Sequence, residues 1–348
     1  MASVIKSYPE SESALSALTN SWTRHPILRF CVRRFTAGLL TLLIASVLVF
    51  LTTNALPGNV AEVVLGKHAS PQLVASLDHK LGLNRPLAVQ YLSWLDGIVH
   101  GNFGQSAVEL ANGYAHAPIS AIIGAPLVNS AILALGTIVL LVPLSLLLGT
   151  FAAVRAARIG DFVISYVSLI LGSLPEFVLG TFLIVVFFSE LRLLPPISLV
   201  PPGTSPLDNP KALILPILTL LGVSLAFCVR QVRAGVVQVL RQDHVKMARL
   251  NGLPEPRVLW RYALRNAIAP SIQTFAQAIQ YLFGGIIVVE ALFAYPGIGA
   301  LLVQAVSLRD VTEVQAITMI LGAVYIVINI LADLLVVLVV PKLRTGVA

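Results

Sequence analysis

Apolar positions along this chain gather into six long runs, at about 35–56, 127–151, 162–188, 212–229, 267–289 and 314–340. A helix rises 1.5 Å per residue and a bilayer's hydrocarbon core is about 30 Å thick, so about 18 consecutive apolar residues predict a spanning helix. The pattern predicts an all-α membrane protein with six transmembrane helices. Pro143, Pro175 and Pro216 fall inside predicted spans, where each missing backbone donor predicts a kink.

Between the first two runs, residues 57–126 carry shorter helical patterns. Ser70 is a predicted N-cap, Pro71 sits at the first helical position, Leu73, Leu77 and Leu81 share a face, and Gly82 ends the pattern. A second helix is predicted from Pro86 to His100, stopped by Gly101, with Tyr91, Trp94, Leu95 and Ile98 as its apolar stripe. Such helices lie on a membrane face, packed on the bundle or turned toward a partner.

The basic residues set the orientation. With the N-terminus inside, 17 Lys and Arg fall on the cytoplasmic side and 6 outside, and an odd number of spans would split the two basic ends. Both termini are therefore expected in the cytoplasm, with 1–34 as a cytoplasmic tail and 57–126 as an extracytoplasmic loop. The first 25 residues lack the basic, apolar and small-residue order of a cleaved signal. Composition agrees: 57% of residues are hydrophobic and 11% charged, far from the roughly 25% charge of soluble domains. The net charge of +7 sits at the ends of apolar runs, which argues for membrane orientation and against nucleic acid. Cys31 and Cys228 have no metal or redox spacing and read as small buried residues.

One polar stretch departs from the rest. Residues 243–270 hold Asp243, Lys246, Arg249, Glu255, Arg257, Arg261 and Arg265, with Gly252 and Pro254 dividing two helical patterns and Pro270 expected to start the next span. The segment 243–266 predicts a compact cytoplasmic knob. It could fit a groove on another protein or rest on anionic headgroups, and composition alone leaves both open.

Few polar groups fall within the apolar runs. Gln273, Gln277, Gln280 and Gly284 share one face of the fifth. They could line a translocation path or bond neighbouring helices. Glu176 follows Pro175 in the third run and could meet substrate, pair with a cation or stay protonated. Asn329 and Asp333 in the sixth read as packing and registration, and Glu290 at the end of the fifth as structural. Histidines 68, 79, 100 and 116 lie in the first outer loop without chelating spacing, and read as surface residues.

The stretch "KMARLNGLPEPRVLWRYALRNAIAPSI" resembles the coupling segment of ABC-importer permeases of the peptide/nickel subclass. "KLGLNRPLAVQYLSWLDGIVHGNFGQS" is similar to the outer loop of that subclass's first permease subunit, and "VVEALFAYPGIGALL" to its loop between the fifth and sixth helices. The likeness runs from about Phe30 to Arg344, with 35–344 as the permease domain. It implies that Val245, Lys246, Met247, Ala248, Arg249, Asn251, Gly252 and Leu253 dock on an ATP-hydrolysing subunit. Ala248 and Gly252 match the family pattern, whereas Lys246 and Met247 replace its acidic residue and first alanine.

By the same resemblance, the partners are a second homologous permease, two ATP-binding subunits, an extracytoplasmic substrate-binding protein and membrane lipid. The location is a bacterial or archaeal inner membrane. The implied task is ATP-driven uptake of di- or oligopeptides by alternating access, with nickel or another small solute as the alternative cargo, and a non-transporting sensor or scaffold as a reading from another class. The chain has no Gly-x-x-x-x-Gly-Lys-Ser/Thr phosphate loop. ATP and magnesium are accordingly expected in partner subunits, with no cofactor and no enzymatic site here.

Overall fold

The computed structural model describes residues 26–55, 60–66, 70–201 and 203–339. Within them the regular secondary structure is helical, apart from one isolated bridge between Gln105 and Pro118. The first long helix, α1 (Pro26–Asn54), is followed by four short ones: α2 (Val60–Leu65), α3 (Pro71–Leu81), α4 (Leu87–Val99) and α5 (Ala107–Ala111). Next come α6 (Ile119–Val154), α7 (Ile159–Ser173), α8 (Glu176–Ile184, continued as a π turn to Glu190) and α9 (Pro210–Leu240). The chain closes with α10 (Asp243–Leu250), α11 (Glu255–Arg257, continued as a π turn over Val258–Leu264), α12 (Arg265–Leu292), α13 (Ile298–Leu308) and α14 (Val311–Val339).

Helices α1, α6, α9, α12 and α14 are long and apolar enough to span, and α7 with α8 makes a sixth if the bent pair is one span. Helix α9 is the axle, packed against α6, α7, α8 and α12. Leu133 and Leu141 of α6, Leu215 and Leu220 of α9 and Leu282 of α12 share its core. Helices α1 and α14 pack together at one side. Arg34 and Asp333 pair across them at 3.0 Å, and the Gln315 amide donates to Thr53 at 2.6 Å. Asp333 thus registers two helices, as expected, while Asn329 bonds the Tyr325 carbonyl of its own helix.

Proline shapes two of the apolar runs. The third is broken sharply at Pro175, where α7 and α8 meet at 105°. Leu174 and Pro175 are both extended, with ψ of 131° and 149°, because proline drives the preceding residue out of the helical region. Helix α12 begins at Arg265 and runs through Pro270, and its spanning stretch is Ser271–Leu292. Helices α6 and α9 likewise continue through Pro143 and Pro216.

The loop between α1 and α6 follows its sequence signals. Ser70 accepts from the Leu73 amide at 3.3 Å, and Gly82 ends α3 at φ 70°. Helix α4 lies on α1, where Phe50, Tyr91 and Trp94 stack and the Tyr91 hydroxyl meets Ser46 at 2.9 Å. Residues 1–25 and His68 fall outside the described residues.

Candidate functional site

Helix α9 has 31 residues, about 46 Å at 1.5 Å per residue, against a hydrocarbon core of about 30 Å. It must protrude, and α10 sits on the protruding end. Val245 and Ala248 are buried, at 0% and 3% exposure, against Val232, Val236, Val239, Val258 and Leu264. The apolar side of this short helix is therefore occupied by its own chain, and these two expected docking residues form its base.

The outward surface carries Lys246, Met247, Arg249, Asn251 and Gly252, with Leu253 partly buried beneath. Met247 and Leu250 are apolar yet 56% and 80% exposed. Gly252 stands at φ +74°, with open space where a Cβ would go. Its amide donates to Arg249 at 3.0 Å, and the Leu253 amide to Ala248 at 3.3 Å. This left-handed close turns the chain at once into α11. Glu255 then takes both nitrogens of Arg249, at 2.7 and 3.3 Å, and His244 meets Asn266 at 3.1 Å. Asp161, buried at the start of α7, accepts from Arg233 and from the Ala157 amide, tying the adjoining loop to α9.

On α12, Gln273, Gln277, Tyr281, Gly284 and Val288 are exposed. They recur at helical spacing and make one continuous face. The three glutamines make no side-chain hydrogen bond among the described residues. Gln280 is turned to the flank, into a cavity of about 740 Å³ that Glu176, Tyr281, Thr318 and Tyr325 also line. Glu176 packs over Gly285, and the Tyr281 hydroxyl lies beside it. No Lys, Arg or His lines that cavity. The structure thus brings Glu176 and Gln280 together, and leaves Gln273 and Gln277 on the open face.

Beyond the cavity, sequence reasoning missed a buried polar knot. Glu290 is 0% exposed and accepts from Ser130 Oγ at 2.5 Å, Gly299 N at 2.7 Å and Ala300 N at 3.3 Å. Ser130 accepts from Ile298 N at 2.8 Å, and the Tyr295 hydroxyl donates to Asn129 O at 2.8 Å. Burial, and then the Glu290 carboxylate, push the Tyr295 pKa upward, so it stays a neutral donor. Asp310 does similar work nearby, accepting from Ser106 Oγ at 2.6 Å and Val108 N at 3.0 Å, which fastens α5 to the start of α14. The visible signal for the Glu290 knot was the pair Gly297 and Gly299 following Pro296; nothing in the sequence pointed to Ser130 or Ser106. No group of three or more His, Cys, Asp or Glu able to hold a metal occurs among the described residues.

Residues 145–345 match the family described as binding-protein-dependent transport system inner membrane component. Residues 27–123 match the corresponding N-terminal family of transport-system membrane components. The chain is 31% identical to the probable peptide ABC transporter permease protein y4tP of Sinorhizobium fredii, over 90% of this chain and 99% of that one. It is 33% identical to the glutathione transport system permease protein GsiC of Shigella flexneri, over 91% and 99%. To GsiC of Salmonella choleraesuis it is 32% identical, again over 91% and 99%.

Proposed function

The chain belongs to the family of binding-protein-dependent transport system inner membrane components, and we propose that it is a permease subunit of an ATP-driven importer that takes up peptides. Relatives named for peptide and glutathione transport support that cargo over nickel. The chain forms the path with a second, homologous permease. Two ATP-binding subunits, which hold ATP and magnesium, dock on its cytoplasmic side. An extracytoplasmic binding protein delivers the peptide. The membrane is the inner membrane of a bacterium or archaeon, both termini are cytoplasmic, and 57–126 lies outside.

One observation carries the reading: α10 sits at the end of α9 on an apolar base of its own chain and exposes Lys246, Met247, Arg249, Leu250 and Asn251 beside a left-handed Gly252. Because the base is packed onto α9 and the π turn that leads into α12, a push on α10 is passed to two spans as one rigid piece. Closure of the ATP-binding subunits would then bias the bundle between inward- and outward-facing states. Glu176, Gln280, Gln277 and Gln273 lie on the side that the second permease would close, since bare amides facing hydrocarbon are costly.

The test is Gly252→Asp in the assembled transporter. Asp tolerates the left-handed conformation better than most residues, so the chain should still insert at normal levels. Its added carboxylate should block the contact and abolish both uptake and substrate-stimulated ATP hydrolysis. Normal uptake by a well-expressed variant would remove α10 from the coupling surface.

A further inference from the structure

A second cavity, of about 930 Å³, lies between the far end of α6 and the π turn before α12. It belongs neither to the outward surface of α10 nor to the polar face of α12. Its walls are apolar: Leu147, Phe151 and Val154 from α6, and Leu259, Trp260 and Leu264 from the turn. Several of these are open to the surroundings, Leu147 at 61%, Val154 at 52% and Trp260 at 69%.

The groove follows α6 from Pro143 to Arg155. That is about 18 Å of helix at 1.5 Å per residue, close to the depth of one leaflet of a hydrocarbon core about 30 Å thick. Charge sits at one end only. Arg155 and Arg261 close the mouth, both are exposed, and neither has an acidic partner among the described residues. The Arg155 guanidinium instead lies 4.0 Å from the centroid of the Phe151 ring, which holds it over the groove.

We propose that this groove binds one anionic phospholipid of the cytoplasmic leaflet, with an acyl chain along α6 and the phosphate between Arg155 and Arg261. A trough of one-leaflet depth fits an acyl chain, and two unpaired cations at its mouth fit an anionic headgroup. A neutral lipid would leave their charge uncompensated. Trp260 at the mouth suits the interface, where an indole ring meets both chain and headgroup. The opposite side of the same π turn packs against α10 through Val258, so an occupied groove would also stiffen the base of the coupling surface. The leaflet assignment rests on the orientation proposed above.

The test uses the purified full-length chain, with dioleoylphosphatidylglycerol or dioleoylphosphatidylcholine added, read by native mass spectrometry. The phosphatidylglycerol should be retained in preference to the phosphatidylcholine. The double variant Arg155→Gln/Arg261→Gln should bind it about thirtyfold more weakly, the loss expected for two basic contacts near an anionic surface. Leu147→Trp should also displace it, by filling the groove with both arginines intact. Arg158→Gln, which does not line the groove, should leave binding unchanged. An unaltered double variant, or an equal loss in Arg158→Gln, overturns the site. So does efficient cross-linking of Trp260→Cys to a partner subunit in the assembled transporter. Orientation has its own readout: Arg257→Cys, in a chain lacking Cys31 and Cys228, should resist an impermeant maleimide added outside. Labelling there would overturn the leaflet assignment whatever the lipid result.

Discussion

Two carboxylates meet α12 at different heights and live in opposite surroundings. Glu290, at its C-terminal end, is wholly buried, and three donors converge on it. Glu176, reaching α12 from the break before α8, borders a cavity of about 740 Å³ and faces no cation there. Glu290 is spent on structure: it collects the free amides at the start of α13, where a negative charge also suits the helix dipole. Glu176 is left with bonding capacity toward open space. In a membrane protein both are costly to desolvate, so what separates a structural acid from a functional one is whether its neighbours have already satisfied it.

Removing the satisfied acid should do the greater damage. Glu290→Ala strands Ser130 and two backbone amides in a buried site. Each unsatisfied group costs about 1–3 kcal/mol, so the variant should lose several kcal/mol and fail to accumulate in the membrane. Gly297→Ala attacks the same knot from the other side, because its Cβ would fall on the Glu290 carboxylate. It should lower the detergent melting temperature, though less than Glu290→Ala. Wild-type melting in both would show that the knot is not what holds this end of the bundle together.

Glu176→Gln should give the reverse profile. The amide keeps the shape and much of the hydrogen bonding but loses the charge. Melting should stay near wild type, while peptide uptake falls about tenfold or more, the scale of one charge-assisted hydrogen bond at about 1.5–3 kcal/mol. A variant with lowered melting and normal uptake per folded molecule would make Glu176 a second structural acid and erase the contrast with Glu290.

The contrast also explains how much could be read from the chain. The apolar runs gave the five helices of spanning length and the bent pair α7–α8, because hydrophobic length is a local property. The helices at Pro71–Leu81 and Leu87–Val99 were legible from caps and glycines. The 105° turn between α7 and α8 was not, since hydropathy measures burial in lipid and carries no direction. Val245 and Ala248 enter the docking segment by resemblance, which marks out the segment and not which of its side chains turn inward; both are buried in the base of α10. Glu290 was read as structural, but Ser130 and Ser106 were invisible: their partners lie 160 and 204 residues away, and only the folded chain brings them together.

The smallest expected effect tests the open face itself. Gln277 is exposed, points the same way as Gln273, and has no hydrogen-bond partner among the described residues. If it lines a path shared with the second permease, its amide can bond peptide backbone without reading side chains, which suits a permease for varied peptides. Gln277→Leu should then reduce uptake by a few fold and leave melting and basal ATP hydrolysis unchanged. If the amide instead bonds the second permease, the loss is one interhelical hydrogen bond in a membrane. Such bonds average about 0.6 kcal/mol and reach about 1.7, so the assembled complex should melt slightly lower at unchanged uptake. Both quantities measured on one preparation separate the two outcomes. Because no described residue of this chain bonds Gln277, the isolated subunit should melt like wild type in either case, whereas Glu290→Ala should weaken the subunit before any partner is added.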